Sequence, residues 1–381
     1  MNRRGMLIMI SYEIDIGFAI GRLISAFYEM SVRVTGDPRL VHFSFGRVGT
    51  GRCASLPDGF ENLLEFDYRK TTDASLAAFG DYVETNQIGV IFGLDMPVQA
   101  SCLSVARERG ARTIFSYWGA PMSSPNRGLK LMLKRLEVSL LRRAKPDCFV
   151  FESEAMRRLG VHGRGLSHVS TAVVHTGVDE QRFRPRPEAR DLVYRRFGIP
   201  EERKVVVYMG HLHRRKGVQV LLQAAEYIKA NLHREDVHTV FLGDRAGEAD
   251  AMREYYSAAA SHITFGGYQN DIPELLSGCY VGCIPSTGWD SFPMSSLEMQ
   301  ACGLPVIVSD LQGVPETVER DVTGLVVPAG DARALAHAIV SLVDEAQRRD
   351  RMQLAARERI ENRFTRRHQI DALTACVSER L

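Results

Sequence analysis

The sequence predicts an α/β protein of two parallel, doubly wound domains that face each other across a cleft. Short apolar runs alternate with helical patterns along the whole chain, the pattern of parallel strands joined by helical crossovers. The alternation restarts after residues 181–188, QRFRPRPE, whose two prolines and many charges read as a connector between domains. The length of 381 residues, 45% apolar and 25% charged, supplies material for two cores.

In chain order, strands are expected at 6–11, 40–45, 88–93, 112–117, 148–152 and 172–175. Helices are expected between them at 19–30, 74–85, 98–109, 129–144 and 154–159. The second half gives strands at 204–209, 239–243, 263–265, 280–285, 306–310 and 324–327, and helices at 218–231, 248–260, 272–276, 293–301 and 331–346. The tail, 350–381, is helical apart from a break near Phe364-Thr365. The first apolar run, Met6-Leu7-Ile8-Met9-Ile10, is too short for a membrane span and reads as a strand. A net charge of +2 gives no support to a nucleic-acid partner. Seven scattered cysteines, with Cys279-x3-Cys283 lacking a second ligand pair, read as reduced core thiols of a cytoplasmic protein rather than as a zinc site.

Two stretches carry the chemistry. In 205–217, VVVYMGHLHRRKG, an apolar strand ends at Gly210, and a basic loop leads into a helix. Arg214, Arg215 and Lys216 cluster where a helix N-terminus also points its free N–H groups, which is a phosphate-binding arrangement; a solvated basic loop is the plainer alternative. In 290–305, DSFPMSSLEMQACGLP, Asp290 and Glu298 are spaced D-x7-E around a helix start. Loop, helix and strand in that order place both carboxylates beside the C-terminal edge of a parallel sheet, where open α/β sheets bind ligands. An ionised carboxylate is an acceptor only and matches the two donors of a vicinal diol, so Glu298 suits a sugar. Ser295 and Ser296, in the first turn, could donate to a phosphate. Taken alone, Glu298 also reads as an acid stabilised by the helix dipole, and Asp290 as a loop acid.

Residues 126–145, NRGLKLMLKRLEVSLLRRAK, form a basic amphipathic helix with Leu129, Leu133, Leu136 and Leu140 at helical spacing. A stripe facing the core is the favoured reading, because the next segment is a strand this helix should cover. Peripheral contact with a membrane surface stays open beside it. The first loop, SYEIDIGFAIG at 11–21, offers Gly17 and Gly21 for close backbone approach to a ligand, but its glycine pattern is too loose for a dinucleotide fingerprint. Glu13 and Asp15 either face the cleft or serve as acids at a helix start.

Together these motifs resemble the retaining glycosyltransferases of the large family 4, whose GT-B fold pairs two Rossmann-like domains. The likeness is strongest over 204–330. VVVYMGHLHRRKGVQVLLQAAEYI is similar to the family's strand, G-R-L-x-x-x-K-G loop and helix. FLGD at 241–244 resembles its next strand end, and GGYQNDIPELL at 266–276 the loop that lies against the nucleobase. DSFPMSSLEMQACGLPVIVSD resembles the E-x7-E signature, and GVPETVERDVTGLVVPAGD at 313–331 the segment just after that signature. In the first half FVFESEAMRRL and HTGVDEQRF match more weakly, and RFTRRHQIDAL resembles the segment that crosses back to the N-terminal domain.

The resemblance implies an acceptor-binding domain at 1–180 with 365–381, and a nucleotide-sugar domain at 184–364. It implies a nucleoside diphosphate sugar as co-substrate, UDP or GDP as the expected nucleotide, retention of configuration, and no metal or other cofactor. By it, Lys216 with Arg215 neutralises the leaving diphosphate. Glu298 binds the ribose diol, and Asp290 with the backbone at Phe292, Pro293 and Met294 holds the transferred sugar. Gly17, Gly210, His211, Gly243, Tyr268 and Ser295 complete the donor side, while Glu13, Asp15 and Trp118 stand on the acceptor side. The expected acceptor is a glycan, a lipid-linked sugar or a small molecule, and the expected place is the cytoplasm or the inner face of the membrane. The sequence departs from the family at four points. Asp290 replaces a Glu, Pro293 a Gly and His211 an Arg, and Tyr117-Trp118-Gly119 stands where a His is usual. These departures point to unusual donor choice and keep two alternatives open: a catalytically weak binding or scaffold protein, and an epimerase-like GT-B enzyme.

Overall fold

A computed structural model describes residues 4–14, 18–49, 52–141, 144–244 and 247–381. The chain forms two compact units, Met1–His175 with Arg367–Leu381, and Thr176–Arg366.

The first unit runs β1 (Gly5–Glu13), α1 (Phe18–Thr35), β2 (Val41–Arg47), β3 (Leu63–Glu65), α2 (Asp73–Thr85), β4 (Ile88–Leu94), α3 (Ser101–Glu108), β5 (Thr113–Trp118), α4 (Gly128–Leu140), β6 (Cys148–Phe151), α5 (Glu154–Leu159) and β7 (Thr171–Val173). Its seven strands are parallel, in the order β3-β2-β1-β4-β5-β6-β7. Met6 to Ile10 on β1 are all fully buried, because helices cover both faces of a parallel sheet and its central strand becomes a continuous apolar run. The strand order reverses direction between β1 and β4, so their C-terminal ends flank a topological switch point.

The second unit runs α6 (Leu192–Phe197), β8 (Lys204–Met209), α7 (Val218–Ala230), β9 (Val237–Leu242), β10 (Ile263–Phe265), α8 (Ile272–Leu276), β11 (Val281–Ile284), α9 (Met294–Ala301), β12 (Val306–Ser309), β13 (Gly324–Val327), α10 (Ala332–Asp344) and α11 (Ala346–Arg363). Its parallel sheet has the order β10-β9-β8-β11-β12-β13 and reverses between β8 and β11. The last helix, α12 (Arg366–Ser378), returns to the first unit, where Ile370, Leu373 and Val377 join the core of Met6, Ile8 and Ile10. None of the seven cysteines is in a disulfide; six are buried and Cys53 is half-buried.

Several expectations need correction. Residues 181–188 lie inside the second unit and are not a free connector. Phe183 is buried in its core, and the Arg357 guanidinium donates to the carbonyls of Glu180 and Phe183. The strand β3 and helix α6 went unpredicted; each is short, and β3 is an edge strand. The helix expected at 248–260 is only a 3₁₀ segment, Asp250–Tyr255, with a second at Ala260–His262. The Glu226 carboxylate accepts the N–H groups of Ser257, Ala258 and Ala259 at 2.9–3.1 Å, which removes the donors a continuing helix needs. Finally, the stripe Leu129, Leu133, Leu136 and Leu140 on α4 is exposed, not turned to the core. The side of α4 that packs is the opposite one, through buried Val138 against Phe149, Phe151 and Leu166.

Candidate active site

The switch point of the second unit gathers most of the residues selected from sequence. Past β8, Gly210 takes φ +144°, and its N–H donates to Leu242 O at 2.9 Å. Gly243, at φ +103°, donates to Gly267 O at 2.8 Å. A Cβ on Gly243 would sit 3.0 Å from Gly210 O, so the backbones after β8 and β9 close upon one another without side chains between them. The Tyr208 hydroxyl fixes the next residue by donating to His211 O at 2.8 Å, while the His211 side chain itself is exposed. In the following loop Gly267 N–H donates to Asp244 Oδ1 at 2.7 Å, and Tyr268 stands two-thirds exposed beside it.

The basic loop is a 3₁₀ turn, Arg214–Lys216, opened by His213, whose Nδ1 accepts from Arg215 N at 3.2 Å. It is closed by Gly217 at φ +73°, where a Cβ would lie 1.7 Å from Pro285 O. No other residue fits that position, and the close approach ties the loop after β8 to the loop after β11. Thr287 and Gly288 add to the tie by donating their N–H groups to Arg215 O, each at 2.9 Å.

This clamp brings together residues 74 apart in sequence: Lys216 Nζ meets Asp290 Oδ2 at 2.7 Å. Ser286 Oγ donates to the same oxygen at 2.8 Å, and Asp290 N–H donates to Gln312 Oε1 at 3.1 Å. The carboxylate side chain is 7% exposed and the lysine 24%. The ammonium has three donors and Asp290 occupies one, leaving a cation held at the sheet edge with donors to spare. Arg215 lies 4.1 Å over the Trp289 ring and donates to Trp289 O at 3.1 Å, a fork held by stacking.

The helix after Asp290 differs in detail from expectation. Pro293 takes the N-cap position of α9 and offers no capping side chain. Phe292 is buried against Phe364 at 5.5 Å, and its carbonyl accepts from Thr176 Oγ1 at 3.5 Å. Ser296 cannot serve a phosphate. It is fully buried and its Oγ donates to Thr317 Oγ1 at 2.9 Å. Met294 and Ser295 are half-buried in the first turn, where N–H groups lack intrahelical partners. Glu298 is half-buried one turn further on, close enough to Cys302 that its charge adds to the burial that pushes that thiol up to about 12.

In the first unit Asp15 and Gly17 lie outside the described residues. Glu13 is exposed, 3.8 Å from Arg47. The Trp118 indole N–H is spent internally, on Met96 O at 3.1 Å and Ser116 Oγ at 2.8 Å. The switch point between β1 and β4 instead holds residues that sequence reasoning missed. Asp95, at φ +52° just past β4, accepts from Gly119 N–H at 3.2 Å and bonds the Tyr12 side chain. Burial pushes its carboxyl up against the opposing pull of that N–H, Arg69 and Tyr12. Arg69 lies 5.5 Å over the Tyr12 ring. Two strands further along the sheet, past β6, Glu152 is buried beside Tyr117, whose phenol is pushed well up by burial first and by Glu152 next. The available signal was an acid within two residues of a predicted strand end.

Among known proteins, residues 190–359 match the family model for glycosyl transferases group 1. Over 176 residues the chain is 29% identical to a UDP-Gal:alpha-D-GlcNAc-diphosphoundecaprenol alpha-1,3-galactosyltransferase of Escherichia coli, covering 46% of this chain and 45% of that one. Over 166 residues it is 31% identical to a phosphatidyl-myo-inositol mannosyltransferase of Mycobacterium leprae, covering 43% of each. The matched stretch thus spans about half the length of these curated relatives. In structure the chain is similar to HepE of Anabaena in complex with UDP, with a TM-score of 0.78 at 18% identity, over 98% of this chain and 100% of the other. The fold is therefore the two-domain GT-B fold, and the chain resembles the family 4 glycosyltransferases.

Proposed function

We propose that this chain, whose residues 190–359 match the group 1 glycosyl transferases, moves a sugar from a nucleoside diphosphate sugar to an acceptor with retention of configuration. The observation that carries the reading is the Lys216–Asp290 pair at the switch point of the second sheet. When the glycosidic bond breaks, the electron pair leaves on the diphosphate, and charge grows there. A fixed ammonium and the neighbouring Arg215 fork stabilise that charge more in the transition state than in the ground state. The first turn of α9 adds N–H groups and the positive end of a helix. Glu298 takes the ribose diol and Tyr268 the base. The chemistry needs no metal, because the protein supplies the compensating cations itself.

Asp290 carries two functions in this reading. Its Oδ2, bound by both Lys216 and Ser286, orients the ammonium; its Oδ1 remains to accept a sugar hydroxyl. The acceptor, a glycan, a lipid-linked sugar or a small molecule, is bound by the first unit at Tyr12, Asp95 and Glu152. The Anabaena protein has been crystallised with UDP-glucose as well as UDP, which favours UDP over GDP here.

The test is nucleotide release from a panel of UDP-, GDP- and ADP-sugars with candidate acceptors, in the presence of EDTA, with the anomeric configuration of the product read by NMR. We expect release from one donor class and an α-linked product from an α-linked donor. No release and no nucleotide binding would assign the chain to the scaffold reading. Release that EDTA abolishes would overturn metal independence.

A further inference from the structure

The helix α4 has two apolar sides, and only one is used by the fold. Val138 is buried in the cluster with Phe149, Phe151, Met156 and Leu166, and half-buried Leu141 packs against the same cluster. Gly165 brings its backbone onto the helix: a Cβ there would lie 2.7 Å from Arg135 N. The helix is therefore firmly seated, with one orientation. On the other side Leu129, Met132, Leu133, Leu136 and Leu140 are 67, 58, 54, 55 and 72% exposed. Their spacing, i, i+3, i+4, i+7 and i+11, makes one continuous stripe. These five are nearly half of the eleven large apolar side chains exposed among the described residues; the other six are scattered singly, as is normal for a soluble surface.

The charges around the stripe decide what covers it. Arg127, Lys130, Lys134 and Arg135 stand on this stretch against one acid, Glu137. Glu137 is already taken, by Lys134 at 2.9 Å and Arg164 at 2.9 Å. Arg127, Lys130 and Arg135 are exposed. A second copy of the chain docking by the same face would set these cations against their own equivalents. A helix of 13 residues spans about 20 Å and is too short to cross a bilayer. No helix among the described residues is long and apolar enough to do so.

We propose that the exposed face of α4 docks the protein on an anionic lipid surface. The helix lies in the plane of the interface, with the Leu129–Leu140 stripe entering the boundary of the acyl chains and Arg127, Lys130 and Arg135 meeting anionic headgroups. The inference stands apart from the transfer reading, since it rests on the surface of the first unit alone.

The test uses the full chain, co-sedimented with phosphatidylcholine vesicles with and without phosphatidylglycerol, at low and high salt. Wild type should sediment with the anionic vesicles only and be released by salt. Leu133→Asp/Leu136→Asp and Arg127→Glu/Lys130→Glu/Arg135→Glu should each weaken binding by about tenfold or more, since the first puts charge into the apolar stripe and the second reverses the charges that meet the headgroups. Thermal melts of both variants should match wild type, the altered side chains being exposed. Where a variant does not fold, the lipid and salt dependence of wild type still decides. Binding to neither vesicle, equal binding to both, or unchanged binding in both variants overturns the proposal. So does a dimer in solution that the leucine variant abolishes while vesicles are ignored, since the face then belongs to a second copy.

Discussion

The energetics of the candidate site concentrate at Gly217. At φ +73° an L side chain costs about 1–2 kcal/mol, and a Cβ only 1.7 Å from Pro285 O forces the two loops apart. Gly217→Ala should therefore lower stability by at least about 2 kcal/mol and disable nucleotide binding. Gly198→Ala, also at positive φ but with nothing within 4 Å, should cost only about 1 kcal/mol. Urea unfolding of both variants checks this, and equal losses would mean that the contact with Pro285 is unimportant. Lys216→Ala and Glu298→Ala should each cut turnover by about 100-fold or more; the thermal midpoint should change little in Glu298→Ala and fall in Lys216→Ala, which leaves the buried Asp290 carboxylate without its cation. Near-normal rates in either would remove it from the donor site. Asp290→Asn should reduce transfer more than nucleotide affinity, whereas equal loss of both would make the residue purely a support for Lys216. At this scale the sequence was half legible. Lys216 and Arg215 stood out because a basic loop between strand and helix has few other uses. Asp95 did not, because a lone acid after a strand gains meaning only when the strand order shows it flanking a switch point, and Glu152 did not, because only the fold buries it beside Tyr117. Ser296 misled because its burial depends on Thr317, a contact 21 residues away.

Elements were read well where a clean run lies between turn signals and less well where tertiary partners decided the outcome. The strands β8 and β13 and the helix α5 match the expected bounds, since each is a clean run between turn signals. The region 248–260 failed because Glu226, on α7, satisfies backbone donors that a helix would have used. On α4 the apolar spacing was correct, but a helix with two apolar sides does not reveal which one meets the core. The strands also carry a pH dependence. His42 on β2, with Nδ1 2.8 Å from Tyr82 Oη, is held by burial at about 4, against an ordinary value near 6.5. His238 on β9 is likewise lowered to about 4, chiefly by burial. Above pH 6.5 both folded and unfolded forms are neutral and the histidines contribute nothing. Below it the unfolded chain binds protons that the fold refuses, so stability falls between about pH 6.5 and 4. His42→Gln keeps a partner for Tyr82 and removes one titrating group. Its melting temperature should decline less than that of wild type from pH 7 to pH 5; an identical decline would place the acid sensitivity elsewhere.

Across the whole molecule, two sheets each carry a reversal of strand order, and each reversal has a built polar site. Alternation of apolar strands and helices made this architecture readable from the sequence. The boundary was less readable: a Pro-rich charged stretch looks like a linker, but Phe183 anchors it in the second core. Where the chain passes between units, Val178 and Thr365 are instead bridged side by side within the second. The central claim is that the second unit holds a diphosphate on Lys216 and its neighbours. Calorimetric titration of UDP, GDP and ADP into wild type and Lys216→Ala tests it most directly. One diphosphate, with UDP favoured, should bind wild type and bind the variant about tenfold or more weakly, one lost charge-assisted contact being worth about 1.5–3 kcal/mol. Binding of none of the three, or equal binding by the two proteins, would contradict it.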